Sequence, residues 1–398
     1  MEKVEENKTE KNNKKKRGLK GLFEEIDAEK KKKKNKKKGE ENSKTKPDFS
    51  KFTNNKNYSS DFKGLKNFGN SCYSNVVIQI LTSIPEFINT LYKRYSLVEN
   101  ENDLFLDFPI LSRVIEIISN YKSKNTTLAA NYLKEIVNKF DISGSQNDAH
   151  EFLVFLLDQL NSELMKIEVK YKISNHINND NCNINKIDDI NNEEGEWEEV
   201  KKDGKTMKQT NSLKNFNTSI LGDIFQGIIK QDIIQKGKSS SNCQIEPFFT
   251  LHLDNNEQTI EAMFERFFKK KMIEGSDKYI QSFIEKCPNI FIVNPKGFYY
   301  DKNSQTIVKI KKAIIFGEKL ILNKNYVSPY LRNKNIEYEL IGIIVHKGSL
   351  ATEGHYICYC KNNKDKTWFY LDDNKVIKVS EDITQKIRPY ILFYKKSI

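Results

Sequence analysis

A cysteine that follows a Gly-Asn-Ser turn and heads an apolar run, GNSCYSNVVIQIL over residues 69–81, has the setting of a nucleophile. The thiolate is the reactive form of cysteine, and the partial positive charge of a helix N-terminus favours it. Gly69 lets the backbone turn tightly, and Cys72 then opens the helix. Asn67, a little upstream, carries an amide N–H that can donate to an oxyanion. The thiol needs a base, and the chain offers five histidines: His150, His176, His252, His346 and His355. His176 lies in a polar stretch, His150 in a helix beside acids and His252 in a strand. His355 follows Glu353-Gly354 and leads into the strand-like YICYC. Further on, WFYLDDNKV puts Asp372 and Asp373 at the end of an aromatic strand. Adjacent antiparallel strands would bring Asp372 beside His355, where a carboxylate fixes the imidazole tautomer and stabilises imidazolium. Cys72, His355 and Asp372 are therefore a candidate set for nucleophilic acyl transfer.

Such a set needs a helix beneath the cysteine and a sheet beneath the histidine. Val76, Val77, Ile80, Leu81 and Ile84 recur at helical spacing, with Pro85 beyond the expected helix end. Phe152, Phe155, Leu156, Leu160 and Leu164 mark a second amphipathic helix. After residue 213 the segments EPFFTLHLD, IFIV, YELIGIIVH, HYICYC, WFYLDD and ILFYKK are short, β-branched and aromatic, and read as strands. A helical first half and a strand-rich second half predict an α+β enzyme with a cleft between them. In NPKGF, residues 294–298, Pro295 lacks an N–H and argues against a central strand.

Charge sorts the rest of the chain. The formal net charge is +12 over 398 residues, and residues 1–47 alone carry +8, which leaves +4 for the remainder. The basic character belongs mostly to a tail, residues 1–60, with lysine blocks at Lys14–Arg17 and Lys30–Lys38. Too little apolar surface exists there to offset ordering entropy, so disorder is expected. A similar polar insert is expected at about 168–212. The catalytic domain is expected over 61–398. Any nucleic-acid contact would be weak and confined to the tail. No apolar run reaches the roughly 18 residues of a membrane span, and charged residues rather than an apolar core follow Met1. A reduced compartment, cytoplasm or nucleus, is expected, with the six cysteines as free thiols.

Three segments together resemble the ubiquitin-specific proteases. GLKNFGNSCYSN resembles their Cys box, QNDAHEFLVFLLDQL their Gln-x-Asp-Ala-x-Glu-Phe helix, and LIGIIVHKG with EGHYICYC, WFYLDD and YILFYKK their His box and C-terminal end. The matches run in family order over residues 63–395. The resemblance implies a papain-like α+β fold, with a helical thumb and a β-rich palm and fingers, that grips ubiquitin and cleaves after its C-terminal glycine. It implies Cys72 as nucleophile, His355 as base, Asp372 as third member, Asn67 as oxyanion donor and Asp373 as an acid next to the triad. Whether Asp372 or Asp373 dominates stays open. Asp148 and Glu151, read as one face of a helix, could pair bidentately with an arginine, and the resemblance implies that they meet ubiquitin's Arg- and Gly-rich tail. A narrower resemblance, to a branch sharing a Trp-Glu-x-Val element and lacking finger cysteines, rests on WEEVKKDGKTMKQTNS and the stretch after it. Many members bind zinc through two C-x-x-C pairs. Cys243 and Cys287 alone cannot complete a tetrahedral four-ligand site, so no metal and no cofactor are expected. The branch's adaptor-binding Phe-Gly motif is missing from the tail, and no adaptor is implied.

Overall fold

The apolar run after Cys72 forms α1 (Cys72–Leu81), every residue of which is buried. The computed structural model describes residues 62–99, 104–141, 143–179, 220–235, 241–302, 305–310, 313–348, 353–379, 383 and 387–397. The tail expected over 1–60 and residues 180–212 of the expected insert lie outside the described residues.

Pro85 does stand beyond α1, and it opens α2 (Pro85–Val98) as its first residue, where proline's fixed φ suits a helix start. The same device begins α3 (Pro109–Lys122). Two free N–H groups of α3, on Ile110 and Leu111, donate to the buried Glu163 carboxylate at 3.0 and 2.7 Å. A carboxylate at a helix N-terminus meets both the orphan donors and the dipole. Asn125 caps α4 (Thr126–Phe140) by accepting from the Leu128 N–H at 3.3 Å. Glu163 belongs to α5 (Ala149–Asn179), whose Phe152, Leu156, Leu160 and Leu164 are fully buried. This helix continues through Glu168 to Asn179. The polar composition from Glu168 onward therefore does not end it.

After α6 (Ile220–Phe225) the chain turns to strands. β1 (Gly227–Gln235), β2 (Ser241–Phe248), β4 (Lys271–Met272) and β5 (Lys278–Lys286) form one sheet in the order β2-β1-β5-β4. The second sheet holds β3 (Thr250–Leu253), β6 (Ile290–Pro295), β10 (Glu337–Lys347), β11 (His355–Lys361), β12 (Trp368–Asp372), β13 (Lys375–Val379) and β14 (Ile391–Lys396). Its order is β13-β12-β11-β10-β14-β6-β3, with β9 (Lys319–Ile321) paired to the start of β10. β7 (Phe298–Asp301) and β8 (Thr306–Lys309) make a separate hairpin. Between the strands, α7 (Ile260–Phe268) packs Met263 and Phe264 into the sheet core with Phe291, Tyr338, Leu340 and Tyr394. Each such side chain contributes on the order of 2 kcal/mol by leaving water.

β6 corrects one expectation. It is fully buried and runs between β14 and β3, so a central strand does pass through NP. Pro295 is its last residue. Pairing to β14 has already ended at Val293, and the ladder to β3 resumes with the Lys296 N–H donating to the Leu253 carbonyl at 2.8 Å. The missing proline donor falls where nothing needs it.

Candidate active site

α1 packs its apolar residues against β10, β11 and β12, which brings the head of the helix to one end of the large sheet. Gly69 has φ of +103°, the left-handed region that side chains rarely adopt, and the turn it makes delivers Cys72 as the first residue of α1. Cys72 is 3% exposed. Burial pushes its thiol up, the Asp373 charge adds to this, and the backbone N–H groups of Tyr356 and Tyr73 pull the other way. The helix start expected to favour thiolate is present, but burial outweighs it. In the free protein Cys72 is a thiol awaiting a base.

The base side comes from strand register. β11 and β12 are antiparallel with Cys358 opposite Leu371, which puts His355 and Asp372 together at one end of the pair. His355 Nε2 lies 2.6 Å from Asp372 Oδ1. An ionised carboxylate only accepts, so Nε2 carries the proton and Nδ1 is left as the acceptor. Asp372 Oδ2 accepts from the Tyr370 hydroxyl at 2.6 Å. Burial raises the Asp372 pKa, but the hydrogen bonds from Tyr370 and His355 and the nearby Lys347 charge outweigh it, and the carboxyl titrates below its usual range.

Asp373 turns the other way. Its φ is +49°, which Asp tolerates better than most side chains. Its Oδ2 accepts from Asn67 Nδ2 at 2.9 Å and its Oδ1 from Asn75 Nδ2 at 2.8 Å. Its carbonyl accepts from the Leu65 N–H at 2.8 Å and from Gln79 Nε2 at 3.2 Å. Asn67 Oδ1 in turn accepts from the Ser71 N–H and hydroxyl, both at 3.1 Å. His355 Nε2 is 3.9 Å from the Asp373 carboxylate, against 2.6 Å for Asp372. Cys72, Asn67, His355, Asp372 and Asp373 are thus gathered at one place. His355, Asp372 and Asp373 bring ligand-type atoms within 4.8 Å of one another. Those atoms are already bonded among themselves and to Tyr370, Asn67 and Asn75, the bonding of a proton-transfer site rather than of a cation cage.

Asp148 and Glu151 come together at the start of α5, with Asp148 just outside the helix rather than within it. Asp148 precedes α5 and caps it: Oδ1 accepts from the N–H groups of His150 at 2.6 Å and Glu151 at 3.2 Å. Its Oδ2 accepts from the Tyr390 hydroxyl. Glu151 is the exposed carboxylate of the two. Of the other histidines, His150 and His252 share the Thr250 hydroxyl at 2.9 and 3.4 Å. His346 is buried against Tyr356, Tyr390 and Phe298. The side chain of His176 is outside the described residues. Cys243 is exposed on β2, and Cys287 is half-buried just after β5.

One positioning contact, between Gln146 and Gly354, is not read from the sequence. Gln146 Oε1 accepts from the Gly354 N–H at 3.2 Å, and its amide donates to the Gly354 carbonyl. The residue before His355 is thereby clamped from the helical side. Gly354 has no room for more: a Cβ there would collide with His346 Nε2. Only the Gln at the head of QNDAHEF, next to a helix start, hints at such a contact.

A family model described as ubiquitin carboxyl-terminal hydrolase matches residues 63–394. Ubiquitin carboxyl-terminal hydrolase 24 of Arabidopsis thaliana is 27% identical over 372 residues, covering 84% of this chain and 64% of that protein. Ubiquitin hydrolase B of Dictyostelium discoideum is 31% identical over 263 residues, covering 63% and 55%. Ubiquitin carboxyl-terminal hydrolase 10 of Rattus norvegicus is 26% identical over 387 residues, covering 84% and 48%. The chain thus spans between 48% and 64% of the length of these curated relatives. Among solved structures, the SAGA Ubp8/Sgf11/Sus1/Sgf73 DUB module aligns with a TM-score of 0.63 and 25% identity, over 84% of this chain and 68% of that one. The chain shares this fold of helices and multi-stranded sheets.

Proposed function

This chain belongs to the ubiquitin carboxyl-terminal hydrolase family, in its ubiquitin-specific protease type, and from that premise we propose that it is a thiol-dependent deubiquitinase. It hydrolyses the peptide or isopeptide bond after the C-terminal glycine of ubiquitin and removes ubiquitin from protein substrates. The observation that carries the reading is the His355–Asp372 pair at 2.6 Å, set at the end of the sheet against which the Cys72 helix packs.

In this reading Asp372 holds the Nε2 proton, so Nδ1 of His355 takes the proton from Cys72 Sγ. Sγ attacks the glycine carbonyl, and Asn67 donates to the oxygen that gains charge. The C–N bond breaks as His355 returns the proton to the leaving amine. Water then attacks the thioester, His355 accepts a water proton, and Sγ leaves and takes that proton back from His355, which restores the thiol. Because burial holds Cys72 as a thiol, the base is needed at the moment of attack. Asp373 acts through Asn67 and Asn75, holding the cysteine side in place. The acidic start of α5 is the docking point for an arginine of ubiquitin's tail, with Glu151 as the open carboxylate and Asp148 adding charge. The protein works in a reduced compartment, cytoplasm or nucleus, where Cys72 stays free.

Purified protein should release fluorophore from a ubiquitin–fluorophore conjugate. Cys72→Ala should fall to background while still binding ubiquitin. Failure of the wild-type protein both to hydrolyse the conjugate and to react with ubiquitin bearing a C-terminal electrophile would overturn the proposal.

A further inference from the structure

The mechanism above leaves Tyr370 and Lys347 without a task, yet Tyr370 bonds to the reacting pair and Lys347 bonds to Tyr370. Tyr370 and Asp372 are two apart on β12, so both side chains leave the same face of the strand. The Tyr370 hydroxyl meets Asp372 Oδ2 at 2.6 Å. Lys347 Nζ meets the Tyr370 hydroxyl at 3.0 Å and lies 5.1 Å from its ring centroid. Lys347 is the residue directly opposite His355 in the β10–β11 ladder. The Tyr359 ring packs edge-on to Tyr370 at 5.4 Å and fixes its orientation.

The direction of these bonds follows from the groups. An ammonium can only donate, so Lys347 donates to the Tyr370 oxygen. An ionised carboxylate can only accept, so the Tyr370 hydrogen points at Asp372. The result is an ordered series from Lys347 through Tyr370 and Asp372 to His355. It fills the carboxylate oxygen that His355 leaves open and draws negative charge away from the imidazole. Other groups facing the pair are His346 from β10, Cys358 from β11 and Asp373 after β12, and Asp373 in turn faces Cys72 of α1. Lys375 is opposite Asp372 in β13.

We propose that Tyr370 is a positioning residue for the proposed reaction: it locks Asp372 in the orientation that holds His355 and, with Lys347 behind it, moderates the charge that His355 feels. This rests on the deubiquitinase reading for its substrate but not for its chemistry, since Asp373 faces both Cys72 and His355 in the free protein and reactivity of the thiol can be read without ubiquitin.

Two measurements separate the claims. The first is the pH profile of kcat and KM on a ubiquitin–fluorophore substrate. The second is the pH profile of Cys72 alkylation by iodoacetamide, followed on the Cys72 peptide by mass spectrometry, which needs no ubiquitin. Tyr370→Phe should lower kcat about tenfold, as expected for one hydrogen bond to a charged group, with KM unchanged. With Asp372 less neutralised, the acid limb of both profiles should move to higher pH. Lys347→Met should move it the same way with a smaller loss of kcat. The double variant should lose less than the product of the two single losses, because Lys347 acts on Asp372 partly through the hydroxyl and partly by its own charge. Unshifted profiles in both single variants, or additive losses in the double, would overturn the proposal. A fall in kcat with no shift of either profile would mark Tyr370 as structural only. If the wild-type protein shows no turnover, the deubiquitinase reading fails, and the alkylation profile still decides the role of Tyr370.

Discussion

Cys72 is 3% exposed and stands in a mesh of buried amides, whereas the side chain of His355 is 37% exposed and is held by its neighbours one bond at a time. On the cysteine side, Asn67, Asn75, Gln79 and Leu65 all converge on one residue, Asp373. On the histidine side, a single file from Lys347 through Tyr370 to Asp372 holds the ring, while Gln146 and the strand register hold the backbone. The two carboxylates are adjacent in sequence and serve opposite sides of the site. The difference has a physical consequence. Buried polar groups are costly to leave unpaired, so the cysteine side couples activity to folding. Half-exposed groups can be rehydrated by water, so the histidine side can lose function while the fold survives.

The largest effect expected on this comparison is His355→Ala. Turnover of a ubiquitin–fluorophore should fall by about a thousandfold or more, since the group that activates a buried thiol is gone. The melting temperature should stay close to wild type. A large drop in melting temperature would mean that the histidine side is also part of the folding unit.

Asp373→Ala should act in the opposite manner. It takes from the Asn67 amide its carboxylate acceptor, leaves the Asn75 amide only the Lys66 carbonyl at 3.5 Å, and puts alanine at a φ of +49°. A loss of about 2–4 kcal/mol follows from unsatisfied donors and left-handed backbone together. Denaturant unfolding measures it. Asp372→Ala, compared in the same way, should cost turnover and little stability. If the two variants destabilise equally, the division between the sides is wrong.

How much of this is legible in the chain depends on how local the cause is. Gly69, the apolar spacing behind Cys72 and the aromatic strands around His355 and Asp372 are short-range signals, and the helix and the strand pair lie where those signals put them. What stays hidden is set by packing from far away. Nothing near Cys72 in sequence reveals that β11 buries it deeply enough to outweigh its helix start. The spacing of the acidic pair suggests a helical Asp148, but the helix begins one residue later and Asp148 caps it. The rule that keeps proline out of strand interiors does not reach Pro295, which is a strand end. Gln146 and Gly354 are 208 residues apart, so only the folded chain couples them.

A smaller effect separates the sides by pH. His346, buried behind the histidine side at 7% exposure, faces Lys309, Asp148 and His355. Burial and the Lys309 charge hold it down to about 4, against an ordinary 6.5. Between those values the unfolded chain binds a proton that the folded chain refuses. Stability is therefore fully present above about 6.5, falls as pH drops towards about 4, and levels off below it. The loss over that window is at most about 3 kcal/mol. His346→Phe keeps a ring among Phe298, Tyr356 and Tyr390 and removes the titration. Its melting temperature should fall less steeply with acid than the wild type's. His150, held at about 4 mainly by burial, still titrates, so part of the slope remains. Identical slopes in the two proteins would show that His346 is not kept neutral by its surroundings.

The smallest effect expected is at Gln146. Its amide makes a reciprocal pair with the backbone of Gly354, accepting from the N–H at 3.2 Å and donating to the carbonyl. It is the contact by which the helical side reaches across to the residue before His355. Gln146→Ala removes both bonds. The entry to β11 keeps two other restraints: the Lys347–His355 register, and the absence of space around Gly354, where even a Cβ would collide with His346. The backbone should therefore loosen rather than leave, and His355 should spend less time in line with Asp372. A misaligned base costs rate and leaves substrate binding intact. We expect kcat to fall by about three- to tenfold, within the range of one or two neutral hydrogen bonds, with KM and melting temperature nearly unchanged. Gln146→Glu keeps an acceptor for the Gly354 N–H but sets a charge against the carbonyl, so it should not restore the rate. Full activity in Gln146→Ala would mean that sheet register alone holds the base, and that the two sides of the site meet only at the Asp372–Asp373 turn.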